Sequence, residues 1–229
     1  MLDEVVEALA CPHCGAALRR LERLLCCAQH HVFDIARQGY VSLLSGRGAS
    51  GDTAAMVAAR ADFLRAGHFD PIREQVADAA AESGYLLDVG AGTGDYLARV
   101  LDRRPASAGI AVDASKYACR RAAKAHPRIG AVVADAWRRL PVRTGVVSTV
   151  LDVFAPRNAE ETHRVLRADG RLVVVTPDGA HLRELVTALG LISVDQRKSE
   201  RLGSQLSGLF EPVSEQRVRF SMRLAAAEL

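Results

Sequence analysis

The residues best suited to chemistry crowd the start of the chain. Cys11-Pro-His-Cys14 is followed, after about a dozen residues, by Cys26-Cys27 and then by His30-His31. Thiolates and imidazoles in two such pairs suit a tetrahedral zinc ion, with a knuckle turn holding the first pair and a returning loop supplying the second. Four protein ligands leave no position for water or substrate, so the ion would be structural. A short segment with few large apolar residues needs such a staple. Cys26 with His30 and Cys27 with His31 have the same separation, so spacing leaves both registers open. Phe33, two residues after His31, is available to pack beneath the site. The competing reading is buried cysteines with incidental histidines.

A second cluster lies in LDVGAGTGDY, residues 87–96, where Asp88 precedes Gly90, Gly92, Thr93 and Gly94, and Asp95 and Tyr96 follow. Glycines between a strand and a helix let the backbone approach a ligand at the positive end of the helix. The spacing is G-x-G-x-G and not the G-x-G-x-x-G of a dinucleotide site. Asp113, at the end of the next strand, is placed to accept from ribose hydroxyls. Asp135, followed by Ala136, ends the third strand where an adenine edge could be met. Each acid taken alone could instead cap the turn that follows it. Together, a glycine loop and two strand-end acids in this order resemble the class I S-adenosylmethionine-dependent methyltransferases.

The elements that must position these groups are legible in the periodicity. Asp52-Thr53 precedes AAMVAARADFLRAG, where Met56, Val57, Phe63 and Leu64 share a helical face and Gly67 is a stop. Asp70-Pro71 opens a second helix, the Asp as cap and the Pro in the first turn, with Ile72, Val76 and Ala80 on one side. From Tyr85 onward short apolar runs alternate with amphipathic helices: YLLDVG, helix 95–103, AGIAVD, helix 116–125, AVVAD, VVSTVLDVF, helix 159–166, RLVVVT and helix 181–188. That alternation predicts an α/β fold, a doubly wound and mostly parallel sheet covered on both faces. The last 40 or so residues are less regular; RVRFSMRL alternates as an antiparallel edge strand would. SGRGASG, residues 45–51, is a polar connection between modules. The expected division is residues 1–44 as a zinc-binding module, 45–84 as linker and leading helices, and 85–229 as the cofactor domain.

Composition narrows the classes further. The 229 residues are 49% hydrophobic and 25% charged, as in a soluble globular chain. No apolar run approaches the roughly 20 residues of a membrane span, and MLDEVVEALACP carries acids where a secretory signal carries bases, so no membrane partner and a cytoplasmic location are expected. There, clustered cysteines bind metal more often than they form disulfides. The net charge of +3 means that a nucleic-acid partner must be met by a local basic patch.

The combination CPxC…C-x-x-x-H-x-F-D, GYVSLL, GDTAAMVAARADFLRAGHF and LDVGAGTG is more specific than any of its parts. With VDASKYACRRAAKAHP, FAPRNAEETHRVLRADGRLVVVTP and HLREL it resembles, over almost the whole chain, the bacterial 23S rRNA (guanine-N1)-methyltransferases of the RlmA family, which include the tylosin resistance enzymes. The resemblance implies Cys11, Cys14, Cys27 and His31 as ligands of a structural zinc. It implies S-adenosyl-L-methionine as cofactor, held by the glycine loop with Gly94 and Asp95, by the aromatic Phe69 (usually tyrosine in the family) and by His181. It implies a 23S rRNA hairpin near the peptide exit tunnel as substrate, a homodimer whose zinc modules frame the RNA, and, in one branch, macrolide resistance. The Ala- and Arg-rich composition is compatible with that branch. Arg19, Arg20, Arg23, Arg37 and Arg47 around the zinc module, with Arg60 nearer the core, are the expected RNA grip, since guanidinium groups suit phosphate. Family members continue beyond RFSMRL, so a C-terminus shortened at AAAEL is expected.

Transfer to guanine N1 requires removal of its proton, and no residue of the sequence singles itself out as the base. N1 is also engaged in Watson–Crick pairing, so the target must be an unpaired guanine. A small-molecule methyltransferase with the zinc module as a cover, and a non-catalytic RNA-binding assembly protein on the same fold, are the alternatives.

Overall fold

The computed structural model describes residues 2–46, 51–190 and 198–225. Six parallel strands form the central sheet in the order β4-β7-β6-β5-β8-β9. They are β4 (Tyr40–Ser42), β5 (Gly84–Val89), β6 (Ser107–Asp113), β7 (Ile129–Val133), β8 (Val147–Val153) and β9 (Leu166–Val175). The sheet order reverses at β5, and in open α/β sheets a ligand binds beyond the C-terminal strand ends at such a point. The sequence expectations for β5, β6 and β8 and for their intervening helices hold within a residue or two.

One face of the sheet is covered by α2 (Asp70–Ala79), α3 (Asp95–Arg103) and α4 (Lys116–Ala125), around Leu86, Leu97, Leu101 and Ile129. The other face is covered by α5 (Ala159–Val165), by two single-turn helices within residues 2–8, and by a small antiparallel sheet. That small sheet is β1 (Leu18–Leu21), β2 (Leu24–Cys27) and β3 (Val32–Asp34), which Leu18 and Leu25 join to the core through Leu9, Val41 and Val142. Strand β4 belongs by sequence to the first 44 residues, yet it is hydrogen-bonded along β7, with Tyr40 opposite Ala131 and Ser42 opposite Val133. The N-terminal stretch is therefore continuous with the core sheet. At Gly130 of β7 any Cβ would collide with Val5, so the N-terminal turn and the sheet meet at van der Waals distance.

Helix α1 (Ala54–Arg65) begins as the sequence suggests, with Thr53 Oγ1 accepting the Met56 N–H at 3.3 Å. Val57 and Leu64 are buried, but Met56 faces solvent. At α2 the expectation that Asp70 caps is corrected. The helix starts at Asp70 itself, after Phe69, and the carboxylate pairs instead with Arg73 one turn on. The C-terminal edge strand is also corrected. Residues 210–225 form no ladder, and the Phe220 ring stands edge-on to Phe69 at 6.3 Å, so the alternation there serves a ring contact and not a sheet. The polar stretch before it contains α7 (Lys198–Leu206), following α6 (Arg183–Leu189).

Candidate cofactor and metal sites

The four Cys/His positions implied by the family converge: Sγ of Cys11, Cys14 and Cys27 and a ring nitrogen of His31 all lie within 4.8 Å of one another. The Cys14 and Cys27 sulfurs are 3.7 Å apart, and His31 Nδ1 is 3.5 Å from Cys11 Sγ and 3.4 Å from Cys27 Sγ. A tetrahedron with zinc–sulfur bonds of about 2.3 Å has edges of roughly 3.8 Å, so the donor set fits zinc. Of the two registers the spacing left open, the one brought together is Cys27 with His31. Cys26 lies in β2 opposite Arg19 and Val32, while His30 occupies a left-handed turn position and is exposed. Burial acts to raise the Cys27 thiol, but hydrogen bonds from the His31 and Gln29 backbone, and from Cys14 and His31, bring it down to about 6. A thiol so poised is ready to ligate. Burial raises the Cys11 thiol, which a metal would offset. Phe33 packs against His13 at 5.7 Å beneath the cluster.

At the C-terminal end of β5 the glycine loop turns sharply, with Gly90, Gly92 and Gly94 all at positive φ. A Cβ on Gly94 would sit 3.0 Å from the Ala122 backbone, and one on Gly90 would sit 2.8 Å from Ala155. Only glycine fits this close passage between α4 and the β8 loop. Asp113 stabilises the loop from β6: Oδ2 accepts the Gly92 N–H at 2.9 Å and Oδ1 accepts the Ser115 N–H at 2.7 Å. The Asp95 carboxylate, in the first turn of α3, receives two bonds of 2.8 Å from Arg73, which fixes the start of that helix against α2. Tyr96 and Thr93 are buried under the loop. Asp135 accepts the Trp137 N–H at 3.0 Å beyond β7, with Ala136 half-buried between them.

Below the loop lies Asp88, 2% exposed, whose Oδ2 has no hydrogen-bond partner. Burial, then Asp113 and Asp152, push its carboxyl well above the usual range. Burial likewise raises Asp113 despite the donors it receives. These neighbouring acids favour a cationic occupant, and S-adenosylmethionine carries a sulfonium and an ammonium. The acidic setting and the glycine passage both fit that cofactor.

Phe69 and His181, distant in sequence, meet at 6.2 Å with Phe154 completing the group, 6.0 Å from Phe69 and 5.8 Å from His181. Burial lowers the His181 imidazole, favouring its neutral form. Arg60, on α1, reaches the glycine loop: its guanidinium would be 3.7 Å from a Cβ on Gly92 and pairs with Asp52 at 2.8 Å. Among the other arginines, Arg19, Arg20, Arg23 and Arg37 lie exposed on the zinc module, with Arg20 paired to Asp3, and Arg47 lies outside the described residues.

Asp152 was not legible from the sequence. It ends β8, 3% exposed, takes the Ala155 N–H, and has Arg157 Nη1 at 3.6 Å; its Oδ1 has no hydrogen-bond partner. Burial, only partly offset by Arg157, raises its carboxyl to about 7. A lone acid followed by an apolar residue in VLDVF carries no motif, and the burial that gives it its properties comes from the fold. Phe154 beside it holds positive φ without being glycine, a strained position of the kind found at functional sites.

Comparison with known proteins identifies families for both parts of the chain. The RlmA N-terminal zinc-ribbon family matches residues 9–46, and a methyltransferase-domain family matches residues 86–170. The chain is 48% identical over 231 residues to the 23S rRNA (guanine(748)-N(1))-methyltransferase of Streptomyces fradiae, covering 98% of this chain and 82% of that protein. It is 46% identical over 252 residues to a protein assigned as a 23S rRNA (guanine-N1)-methyltransferase in Micromonospora griseorubida, covering 100% of this chain and 85% of the relative. Among solved structures, a Methanococcus maripaludis protein assigned as an S-adenosylmethionine-dependent methyltransferase aligns with a TM-score of 0.53 at 16% identity, over 70% of this chain and 87% of the other. A complex of the Haloferax volcanii Trm112 activator with a methyltransferase aligns at 0.55 and 17%, over 69% and 76%. These two similarities establish the shared fold.

Proposed function

The chain belongs to the 23S rRNA (guanine-N1)-methyltransferase family, and from that premise we propose that it transfers the methyl group of S-adenosylmethionine to N1 of one guanine in a 23S rRNA hairpin. The observation that carries the reading is the joint presence, in one chain, of the zinc-ribbon match and an intact glycine loop over a buried acid, Asp88, one of whose oxygens has no hydrogen-bond partner. The Streptomyces relative is named for guanine 748, and the same guanine is the proposed target here. Tylosin-type macrolide resistance would follow from that position.

The roles divide by position. The zinc ribbon, held by Cys11, Cys14, Cys27 and His31, supports the RNA-facing arginines Arg19, Arg20, Arg23 and Arg37. The backbone from Gly90 to Asp95, with Asp113, Asp135 and Ala136, holds the nucleoside of the cofactor, and Phe69 and His181 close the site at its mouth. The cofactor supplies an electrophilic methyl on sulfonium; the chain supplies alignment with the guanine. Of the acids at this end of the sheet, Asp113 is occupied by two N–H donors and Asp88 lies beneath the loop. Asp152, whose Oδ1 accepts no hydrogen bond and has only the Arg157 guanidinium at 3.6 Å, is the group we assign to accept the N1 proton. A ribosomal substrate accords with a cytoplasmic chain, and no helix among the described residues is long and apolar enough to cross a membrane. Two copies framing one hairpin is the assembly proposed from the family, and light scattering of the RNA-bound protein tests it.

The deciding experiment incubates the zinc-loaded protein with labelled cofactor and unmodified 23S rRNA. It maps reverse-transcriptase stops and identifies the nucleoside by mass. A single hairpin stop carrying 1-methylguanosine is expected; methylation of small molecules alone would overturn the reading.

A further inference from the structure

The chain has one tryptophan, Trp137, and the residue is 63% exposed, more than any phenylalanine or tyrosine among the described residues. Its loop is well anchored. Asp135 accepts from the Trp137 N–H through Oδ1 and, at 3.1 Å, from the Arg138 N–H through its backbone carbonyl. Leu140 is buried immediately afterward and its N–H is held by Glu161 at 2.8 Å. An anchored turn thus holds a large aromatic ring in water, where its face is open to a partner.

The surroundings indicate what the ring is for. Arg138 follows it, with Nη1 donating to the Ser45 carbonyl at 2.9 Å, and Arg139 then reaches the zinc knuckle, 3.7 Å from where a Cβ on Gly15 would stand. The turn therefore bridges the nucleoside end of the cofactor site, at Asp135, and the zinc ribbon. Both are elements that a bound hairpin must touch if one grips it and the other modifies it. An exposed indole flanked by guanidinium groups is the arrangement on which unpaired bases stack while arginines meet the adjoining phosphates.

We propose that Trp137 is a stacking platform for an unpaired nucleotide next to the target guanine, with Arg139 on a neighbouring phosphate while Arg138, tied to Ser45 and Asp135, holds the turn in place, so that the loop sets the hairpin's register between ribbon and active site. This rests on the RNA reading above. It adds a residue that helps decide which guanine is presented, since an unpaired base seated on the indole fixes the distance to the next one along the strand.

Because Trp137 is the only tryptophan, its emission reports on itself. Titration with a synthetic RNA of the hairpin sequence is expected to quench it, and titration with S-adenosylhomocysteine alone is expected to leave it unchanged. Trp137→Ala should weaken hairpin binding roughly 5- to 150-fold, the equivalent of one lost base stack. Trp137→Phe should restore most of that loss, and S-adenosylhomocysteine affinity, read by calorimetry as the test of folding, should be unaltered in both. Quenching by S-adenosylhomocysteine would put the indole on the cofactor adenine and overturn the proposal. So would hairpin binding and methylation by Trp137→Ala at wild-type affinity, which would leave the RNA reading standing. Failure of the wild type to bind hairpin RNA in a filter assay would overturn both.

Discussion

Gly94 and Asp152 show how much a single position can demand. Gly94 has φ of +79° and a Cβ there would meet backbone, not a yielding side chain. Gly94→Ala should therefore cost about 1–3 kcal/mol of stability and weaken S-adenosylhomocysteine binding, measurable by thermal unfolding and calorimetry. The glycine was legible because its need is local. Asp152 was not, because its raised carboxyl follows from burial at a strand end. Its proposed role predicts that methyl transfer rises with pH through about 7, and that Asp152→Asn loses that limb and most of the turnover while S-adenosylhomocysteine affinity stays within a few-fold. A flat wild-type profile would exclude it as base. The sign for stability runs the other way. With the folded value above the unfolded one, the Asp152 contribution is complete below about pH 4 and lost as pH rises through 7; Asp88 and Asp113 shift in the same direction. Thermal scans of the cofactor-free protein should show a lower midpoint at pH 8 than at pH 5. S-adenosylmethionine, which brings positive charge, should raise it more at pH 8.

At the scale of elements, zinc and capping do separable work. Stripping the metal with a chelator should sharply reduce amide-exchange protection in β1 and β2, because besides the four ligands the two halves of the ribbon are joined by a short ladder and the ring contacts of His13 with His31 and Phe33; protection in β5, β6 and β8 should persist. Simultaneous loss across both sheets would show that the ribbon and the core unfold as one unit. Thr53→Ala removes the side-chain cap of α1 and should destabilise by about 0.5–2 kcal/mol in denaturant titration. Elements with strong periodicity, such as α3, α4 and β6, were readable because their apolar faces repeat in register with the fold. The 217–224 alternation misled for the same reason, since period-two patterning also arises in an extended segment whose rings dock singly, as Phe220 does on Phe69. Asp70 misled because a capping residue type can equally sit one position inside the helix when Arg73 is there to pair with it.

Over the whole molecule, net charge is small, while the zinc module alone contributes the exposed Arg19, Arg20, Arg23 and Arg37. Hairpin affinity should fall with a log–log salt slope set by a handful of phosphate contacts, and Arg19→Ala with Arg23→Ala should each reduce that slope by about 1, read by filter binding at several salt concentrations. An unchanged slope would move the RNA to another face. The joining of β4 to β7 has a consequence for synthesis. The partners of Tyr40–Ser42 and of Val5 lie in Ile129–Val133, so they leave the ribosome long after the residues that wait for them. During that interval the nascent chain holds apolar N-terminal residues with nothing to cover them. All four candidate metal ligands have emerged by residue 31, so metal closure can precede everything downstream and tie that segment until the seventh strand arrives to cover it.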